Sequence, residues 1–292
     1  MSRNRGRTGG STPQDTATPA PVLQGAGIEG FSFVVPTEFV ELPSKGLLYP
    51  EGHPLHDQET IEIKQLTAKE EDMLTSRTLL KKGVAIERVL ESLITDKSIH
   101  PDHLLVGDRN AIIIATRVSG YGNEYTTGVT CPSCETKQEY TFDLNEAEIY
   151  DGSDVDTLDT RYNEDGTFTV ALPRLQMDVV FRLLTGADER EMTSKLQKKD
   201  KRNSHEKLVT QQLRNLIVSV KGETSQEIID YVIENMPSTD SQHLRMAYKL
   251  AAPNIDLTQH FECNECDFEQ DMEVPLTADF FWPNRRVHGR RL

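Results

Sequence analysis

Polar and apolar residues alternate on either side of two closely spaced cysteine pairs. Tyr125, Thr127 and Val129 step toward Cys131, and Tyr140, Phe142 and Leu144 step away from Cys134. A period of two places alternate side chains on one face of a strand, so this stretch reads as a β-hairpin with the cysteines near its tip. The arrangement returns near the C-terminus. Leu257 and Phe261 lead to Cys263, and Met272, Val274 and Leu276 lead away from Cys266. Short strand-like runs also occur at 31–35, at Ile61-Glu62-Ile63 and at 179–182.

Between these strands the period changes to that of a helix. Ile86, Val89, Leu90, Leu93 and Ile94 fall at the i, i+3, i+4, i+7, i+8 spacing of one apolar face. Thr67 and Glu70 form a capping-box pattern that starts the preceding helix, which Gly83 interrupts. Asp108 is expected to cap a third helix through Ile112-Ile113-Ile114, and Gly120-Tyr121-Gly122-Asn123 a turn before the first hairpin. In the second half Thr185 with Asp188 suits a helix start. Val209, Leu213, Leu216, Ile217 and Val220 make one apolar stripe, and Thr224 with Glu227 caps a helix carrying Ile228, Ile229, Val232, Ile233 and Met236. Asp240 or Ser241 is expected to precede a last helix through Leu244, Ala247 and Tyr248.

The two halves thus follow one programme. The segment 66–73 matches 184–192 with one residue inserted, and most of the extra length of the second half is expected in a polar helix at 198–207. The fold class expected is α+β: two pseudo-repeated helical segments, each ending in a β-hairpin zinc knuckle, joined through one four-cysteine, zinc-ribbon-like site. The division expected is a flexible basic tail at 1–27, a first repeat at 28–150, an acidic linker at 151–172, a second repeat at 173–284 and a basic tail at 285–292. Both tails are poor in bulky apolar residues and cannot fold alone.

Cys131, Cys134, Cys263 and Cys266 are the only cysteines in 292 residues. The N-terminus has no hydrophobic stretch that would serve as a secretory signal, so folding in a reducing cytosol is expected, where paired C-x-x-C motifs read as a metal site rather than as disulfides. One structural Zn2+ is the expected cofactor, since a closed set of four thiolates leaves no ligand position for water. Neither repeat has a second C-x-x-C, so each must lend one knuckle to a shared ion. The H-x-x-H pairs His53/His56 and His100/His103 each enclose a proline and read as surface-loop histidines. The acidic stretch does not form an EF-hand, because Gly152 and Gly166 have Ala147 and Arg161 where an acid is required.

Net charge is −15, with Arg3, Arg5 and Arg7 against Asp15 at one end and Arg285, Arg286, Arg290 and Arg291 at the other, leaving −21 on the body between. An acidic body disfavours a nucleic-acid-binding surface, and no apolar run is long enough for a membrane span. Phosphate-loop, zinc-protease, nucleophile-elbow and dinucleotide-binding signatures are absent, so neither catalysis nor a small-molecule substrate is expected.

Several of these segments together resemble the T4-type bacteriophage baseplate protein family. They are Leu42-Pro43-Ser44-Lys45-Gly46-Leu47-Leu48-Tyr49-Pro50, the Leu66-Thr67 helix start, Asp108-Arg109 before an apolar helix, Cys131-Pro132-Ser133-Cys134 and Phe280-Phe281-Trp282-Pro283. The resemblance implies a virion component of a contractile tail baseplate, a hub subunit or hub assembly factor, assembled in the host cytoplasm. The implied partners are other phage baseplate and tail proteins: hub, wedge or tail tube-proximal subunits. A zinc-ribbon nucleic-acid-binding or transcription-related module, and a baseplate assembly chaperone absent from the particle, are the alternatives.

Overall fold

The computed structural model describes residues 23–24, 34–198, 208–276 and 278–281. The expected tails at 1–27 (apart from 23–24) and 285–292, and the expected polar helix beyond Lys198, lie outside the described residues. Eight α-helices and several small antiparallel sheets make up the described chain.

A two-residue pairing of β1 (Leu23–Gln24) with β2 (Val34–Val35) opens the chain. β3 (Thr37–Glu41) then pairs antiparallel with β4 (Thr60–Lys64), and Val40, Ile61 and Ile63 bury the face toward the core. α1 (Ala68–Thr75) starts at the capping box as the sequence predicts. Thr67 donates its backbone N–H to Glu70 Oε2 at 3.2 Å and its hydroxyl to the same oxygen. Glu70 is buried and also accepts from Ser92 Oγ at 2.6 Å, so the cap ties into the next helical layer. The break comes earlier than Gly83, because Ser76 adopts an extended conformation and starts α2 (Arg77–Lys82), which Gly83 ends with a φ of 68°. α3 (Ala85–Leu93) buries Ala85, Val89, Leu90 and Leu93, and Ile94 then bridges back to Ile63.

α4 (Val106–Tyr121) follows. Asp108 does not cap it. It is the third helical residue, fully buried, and it accepts from Ser44 N at 3.0 Å, Ser44 Oγ at 2.6 Å and the Tyr49 hydroxyl at 2.8 Å. Burial pushes its carboxyl up, against the pull of these donors. The Tyr49 oxygen accepts in turn from Leu105 N at 3.0 Å. One acid thereby fixes the Leu42–Pro50 loop, whose Gly46, at a φ of 74°, has the backbone of Leu55 and Gln58 where a Cβ would sit. β5 (Glu124–Thr130) and β6 (Lys137–Asp143) form the expected hairpin, and β7 (Glu148–Tyr150) leaves it.

The acidic stretch expected as a linker holds regular structure. It contains β8 (Arg161–Tyr162) and β9 (Thr167–Ala171), and β9 pairs with β10 (Asp178–Arg182), so a sheet begins before the boundary drawn at 173. Thr185 N–H and hydroxyl both donate to Asp188, at 2.8 and 2.9 Å, at the start of α5 (Gly186–Lys198). The single stripe expected from Val209 to Val220 is two elements. α6 (Leu208–Leu216) stops at Leu216, and β11 (Ile217–Val220) joins β10 to complete a four-stranded sheet. β-branched Ile217, Val218 and Val220 suit a pleated surface, and pairing across the sheet overrides the helical spacing.

α7 (Gln226–Asn235) begins after Ser225 without a side-chain cap, so the expected Thr224/Glu227 box is not formed. In α8 (Ser238–Ala251) Asp240 again is a buried third residue rather than a cap. It accepts from Arg174 N and Leu175 N, both at 2.9 Å. β12 (Asn254–Asp256) pairs with β7, β13 (Thr258–Glu262) and β14 (Glu269–Glu273) form the second hairpin, and a 3-10 turn spans Ala278–Phe281.

Both halves feed one continuous apolar core. They also meet through polar contacts. Val106 N donates to Leu184 O at 3.1 Å, Gly186 N to Leu104 O at 3.0 Å, and Arg109 lies between Glu87 at 3.1 Å and Glu189 at 2.9 Å. Gly107 lets α4 approach the second half, since a Cβ there would lie 1.9 Å from Pro253 O. Gly107→Ala should therefore lower stability by about 1–3 kcal/mol in urea unfolding despite alanine's better helix propensity. Gly128→Ala, with nothing within 4 Å of its Cβ, should stay within about 0.5 kcal/mol.

An acid limb of stability is also expected at α5. Burial raises the Asp188 carboxyl, but the paired Arg182 guanidinium, at 2.6 and 2.8 Å, and the Thr185 donors outweigh it and hold the group below the ordinary range. A depressed folded value means that this contribution is present above the unfolded aspartate value of about 3.9 and is lost as pH falls through the folded value. Asp188→Asn should flatten that part of the stability-against-pH curve measured by denaturation.

Candidate metal centre

The hairpin tips are built alike. After β5, Cys131 N donates to Thr136 O at 2.9 Å and Glu135 N to Cys131 O at 2.9 Å. After β13, Cys263 N donates to Phe268 O at 2.9 Å and Asp267 N to Cys263 O at 3.2 Å. Each turn needs a left-handed residue just after its second cysteine, and Glu135 (φ 60°) and Asp267 (φ 51°) take that role. For a residue with a Cβ this costs roughly 1–2 kcal/mol, which closure of the turn must offset. The product is a knuckle whose two sulfurs face the same side.

The knuckles meet. All four sulfurs lie within 4.8 Å of one another, and among the described residues they form the one cluster of three or more His, Cys, Asp or Glu ligand atoms suited to a metal ion. Cys131 Sγ is 3.8 Å from Cys266 Sγ, and Cys134 Sγ is 3.7 Å from Cys263 Sγ. These separations rule out disulfides, whose S–S bond is about 2.05 Å. They match the edge of about 3.8 Å in a tetrahedron with metal–sulfur bonds of about 2.3 Å. The first cysteine of each pair opposes the second of the other, the pattern of a local twofold axis. Cys131 and Cys263 are buried, whereas Cys134 and Cys266 face solvent. Hydrogen bonds from Thr136 bring the Cys134 thiol down to about 6, and its contact with Cys134 pushes Cys266 up to about 12. A thiolate at one sulfur opposes another at its neighbour until positive charge is placed between them.

Side chains clasp the two hairpins around this cluster. Gln138 donates to Glu262 O at 3.1 Å and accepts from Asn264 N at 3.1 Å, and the Tyr140 hydroxyl donates to His260 O at 3.2 Å. Gln259 exchanges two hydrogen bonds with the Asp143 backbone, at 3.1 and 2.7 Å. Tyr140 also packs on Phe261 with ring centroids 5.1 Å apart. The segments leaving the hairpins cross over. β7, from the first hairpin, pairs with β12, while beyond the second hairpin Phe280 packs on Tyr125 at 5.2 Å. Arg117 locks that second crossing. Fully buried, it donates to Phe280 O at 2.7 Å, Glu124 O at 3.0 Å and Gly122 O. Burial pulls its guanidinium below the ordinary value, and the three backbone carbonyls satisfy its N–H donors.

All four cysteines named from the sequence are therefore brought together. The histidine pairs are not part of any such cluster. His53 stacks on Tyr49 at 4.5 Å and accepts from Leu55 N at 3.1 Å, and His100 accepts from Asp102 N at 3.2 Å. Sequence reasoning missed Asp108, Asp240 and Arg117 as anchors. Their signal was a charged residue within an apolar helical pattern, which a cap or a solvated face explains equally well.

Among the described residues no helix is long and apolar enough to cross a membrane. No curated protein and no solved structure gives a significant match. The model of one protein family, described as T4 bacteriophage base plate protein, matches residues 37–282, which takes in both halves, both knuckles and the Arg117 crossing. The chain belongs to the T4 bacteriophage base plate protein family.

Proposed function

We propose that this chain is a non-catalytic structural subunit of a contractile-tail baseplate, at or beside the hub, in which one zinc ion on Cys131, Cys134, Cys263 and Cys266 staples two copies of a duplicated unit. The observation that carries the reading is the set of four sulfurs within 4.8 Å of one another, contributed equally by the two halves, with two cross-half pairs at the tetrahedral-edge spacing of 3.7 and 3.8 Å. Zinc would supply charge neutralisation and a fixed geometry there. With all four positions taken by protein sulfur, none is left for water or substrate.

Duplication is supported by parallels beyond the knuckles. Thr37-Glu38-Phe39-Val40-Glu41-Leu42-Pro43 and Thr167-Phe168-Thr169-Val170-Ala171-Leu172-Pro173 are both strand-to-turn segments, and Leu42 N and Leu172 N each close their turn, donating to Glu59 O and Met177 O. Thr67–Glu70 and Thr185–Asp188 make the same cap. Asp108 precedes Cys131 by the same 23 positions as Asp240 precedes Cys263, and each acid anchors the residues just after the matched proline. On this reading the second copy starts within the acidic stretch, at the strand that opens with Thr167.

Family membership implies contact with other phage tail or baseplate proteins and a place in the virion tail. We read the partners as hub, wedge or tail tube-proximal subunits, engaged during assembly in the host cytoplasm, with the Arg-rich ends as docking arms. A rigid stapled body suits a part that must hold neighbours in register.

Elemental analysis should find one zinc per chain. Cys131→Ser and Cys263→Ser should each abolish it and cost equal stability, about 4 kcal/mol or more at free zinc a thousandfold above Kd. Acidification should release the metal, because protonated thiols do not ligate. Two zinc ions per chain, or a loss confined to one half, would contradict the shared site. At the level of the particle, a deletion phage should make heads without functional tails, and mass spectrometry of purified wild-type particles should detect the chain. Its absence from particles, with tail assembly still dependent on it, would make it an assembly factor instead of a subunit.

A further inference from the structure

The four sulfurs are placed to do more than hold an ion. We infer that the cluster is also a site of oxidative modification, in which a peroxide converts the metal staple into two disulfides joining the halves, Cys131–Cys266 and Cys134–Cys263. The inference rests on the proposed metal site for the state in which the protein starts. Its own basis is the arrangement of sulfur and backbone.

All four sulfurs lie within 4.8 Å of one another, and two contacts, at 3.8 and 3.7 Å, join Cys131 to Cys266 and Cys134 to Cys263 across the halves. Each joins one buried sulfur to one that faces solvent, Cys131 to Cys266 and Cys263 to Cys134. A small oxidant thus reaches the outer member of each pair, and its partner waits beneath. The hairpins do not need the metal for their other contacts. Gln138, Tyr140 and Gln259 bind backbone groups of the opposite hairpin, so the sulfurs stay adjacent when the ion leaves. Adjacency of this kind makes the second step intramolecular, at a high effective concentration.

The chemistry balances with hydrogen peroxide as the oxidant. The Cys134 thiolate attacks one peroxide oxygen, which forms the sulfenic acid and releases hydroxide. The Cys263 thiolate then attacks the Cys134 sulfur and displaces a second hydroxide, and both hydroxides take protons from solvent and leave as water. Cys266 and Cys131 follow the same course with a second peroxide. Each disulfide consumes one peroxide and two electrons from sulfur, and the zinc departs as Zn2+. Two bridges between residues 135 and 129 positions apart constrain the unfolded chain far more than bridges within either motif would. A particle that leaves a reducing cytoplasm would keep its halves joined in surroundings that strip metal and favour disulfides.

The test uses the full-length zinc-loaded protein. Hydrogen peroxide is added, released zinc is read with a chromogenic chelator, and disulfides are mapped by mass spectrometry of non-reduced peptides. The expected result is one zinc released per two peroxides consumed, with cross-linked peptides joining 131 to 266 and 134 to 263. A higher melting temperature than that of the reduced, chelator-treated protein should accompany it. Disulfides within the motifs, links between chains, or sulfinic and sulfonic acids would overturn the inference. The double variant Cys134→Ser, Cys263→Ser should still form the remaining bridge, and its failure to do so while folded by circular dichroism would count against the pairing. If the purified protein holds no zinc yet gives the two cross-half bridges, the metal reading fails and the modification site stands.

Discussion

Four sulfurs within 4.8 Å of each other are the constraint on which the rest of this molecule turns. Thiolates at that spacing repel, and thiols leave a cluster of poor donors facing one another. A cation bound at the centre would neutralise the thiolates, and thiols would first have to give up their protons. The knuckles accept a left-handed residue each, and the hairpins clasp through backbone-directed side chains, so that the sulfurs converge. The exit segments then cross onto the opposite half, one through β7 and β12 and the other through Phe280 and Arg117. Residues distant in sequence are thereby committed to one body.

Away from the cysteines, the body is organised by buried acids placed at the same point in each half. Asp108 and Asp240 each gather the backbone of a turn onto the start of a long helix. The first half elaborates that turn into the Leu42–Pro50 loop, with Tyr49 inserted between Asp108 and Leu105 N. The second half keeps it short. Shared anchors with unequal loops are what the proposed duplication would leave after its copies diverged.

Much of this was legible in the sequence where a local rule decides the outcome. Alternation around Cys131 and Cys263 marked both hairpins, and Thr67 with Glu70 marked a helix start that the structure forms as a capping box. Rules failed where tertiary contact wins. Ile217, Val218 and Val220 continue a helical stripe on paper, yet β10 offers them a sheet edge. Asp108 and Asp240 resemble caps, but their donors come from loops 64 and 66 residues away. No local pattern announces Arg117, because its acceptors include a carbonyl 163 residues on. The clustering of the cysteines was the easiest feature to foresee, since the chain has only four and they fall in two C-x-x-C pairs.

The central claim is that one zinc ion, held by two cysteines from each half, makes the chain a single stapled body. Zinc K-edge X-ray absorption on the purified protein tests it most directly, because it reads ligand identity, number and distance together. A shared staple predicts four sulfur neighbours at about 2.3 Å around one zinc per chain, with no nitrogen or oxygen bound to the metal. A mixed set of nitrogen and sulfur ligands, or an oxygen ligand from bound water, would contradict it.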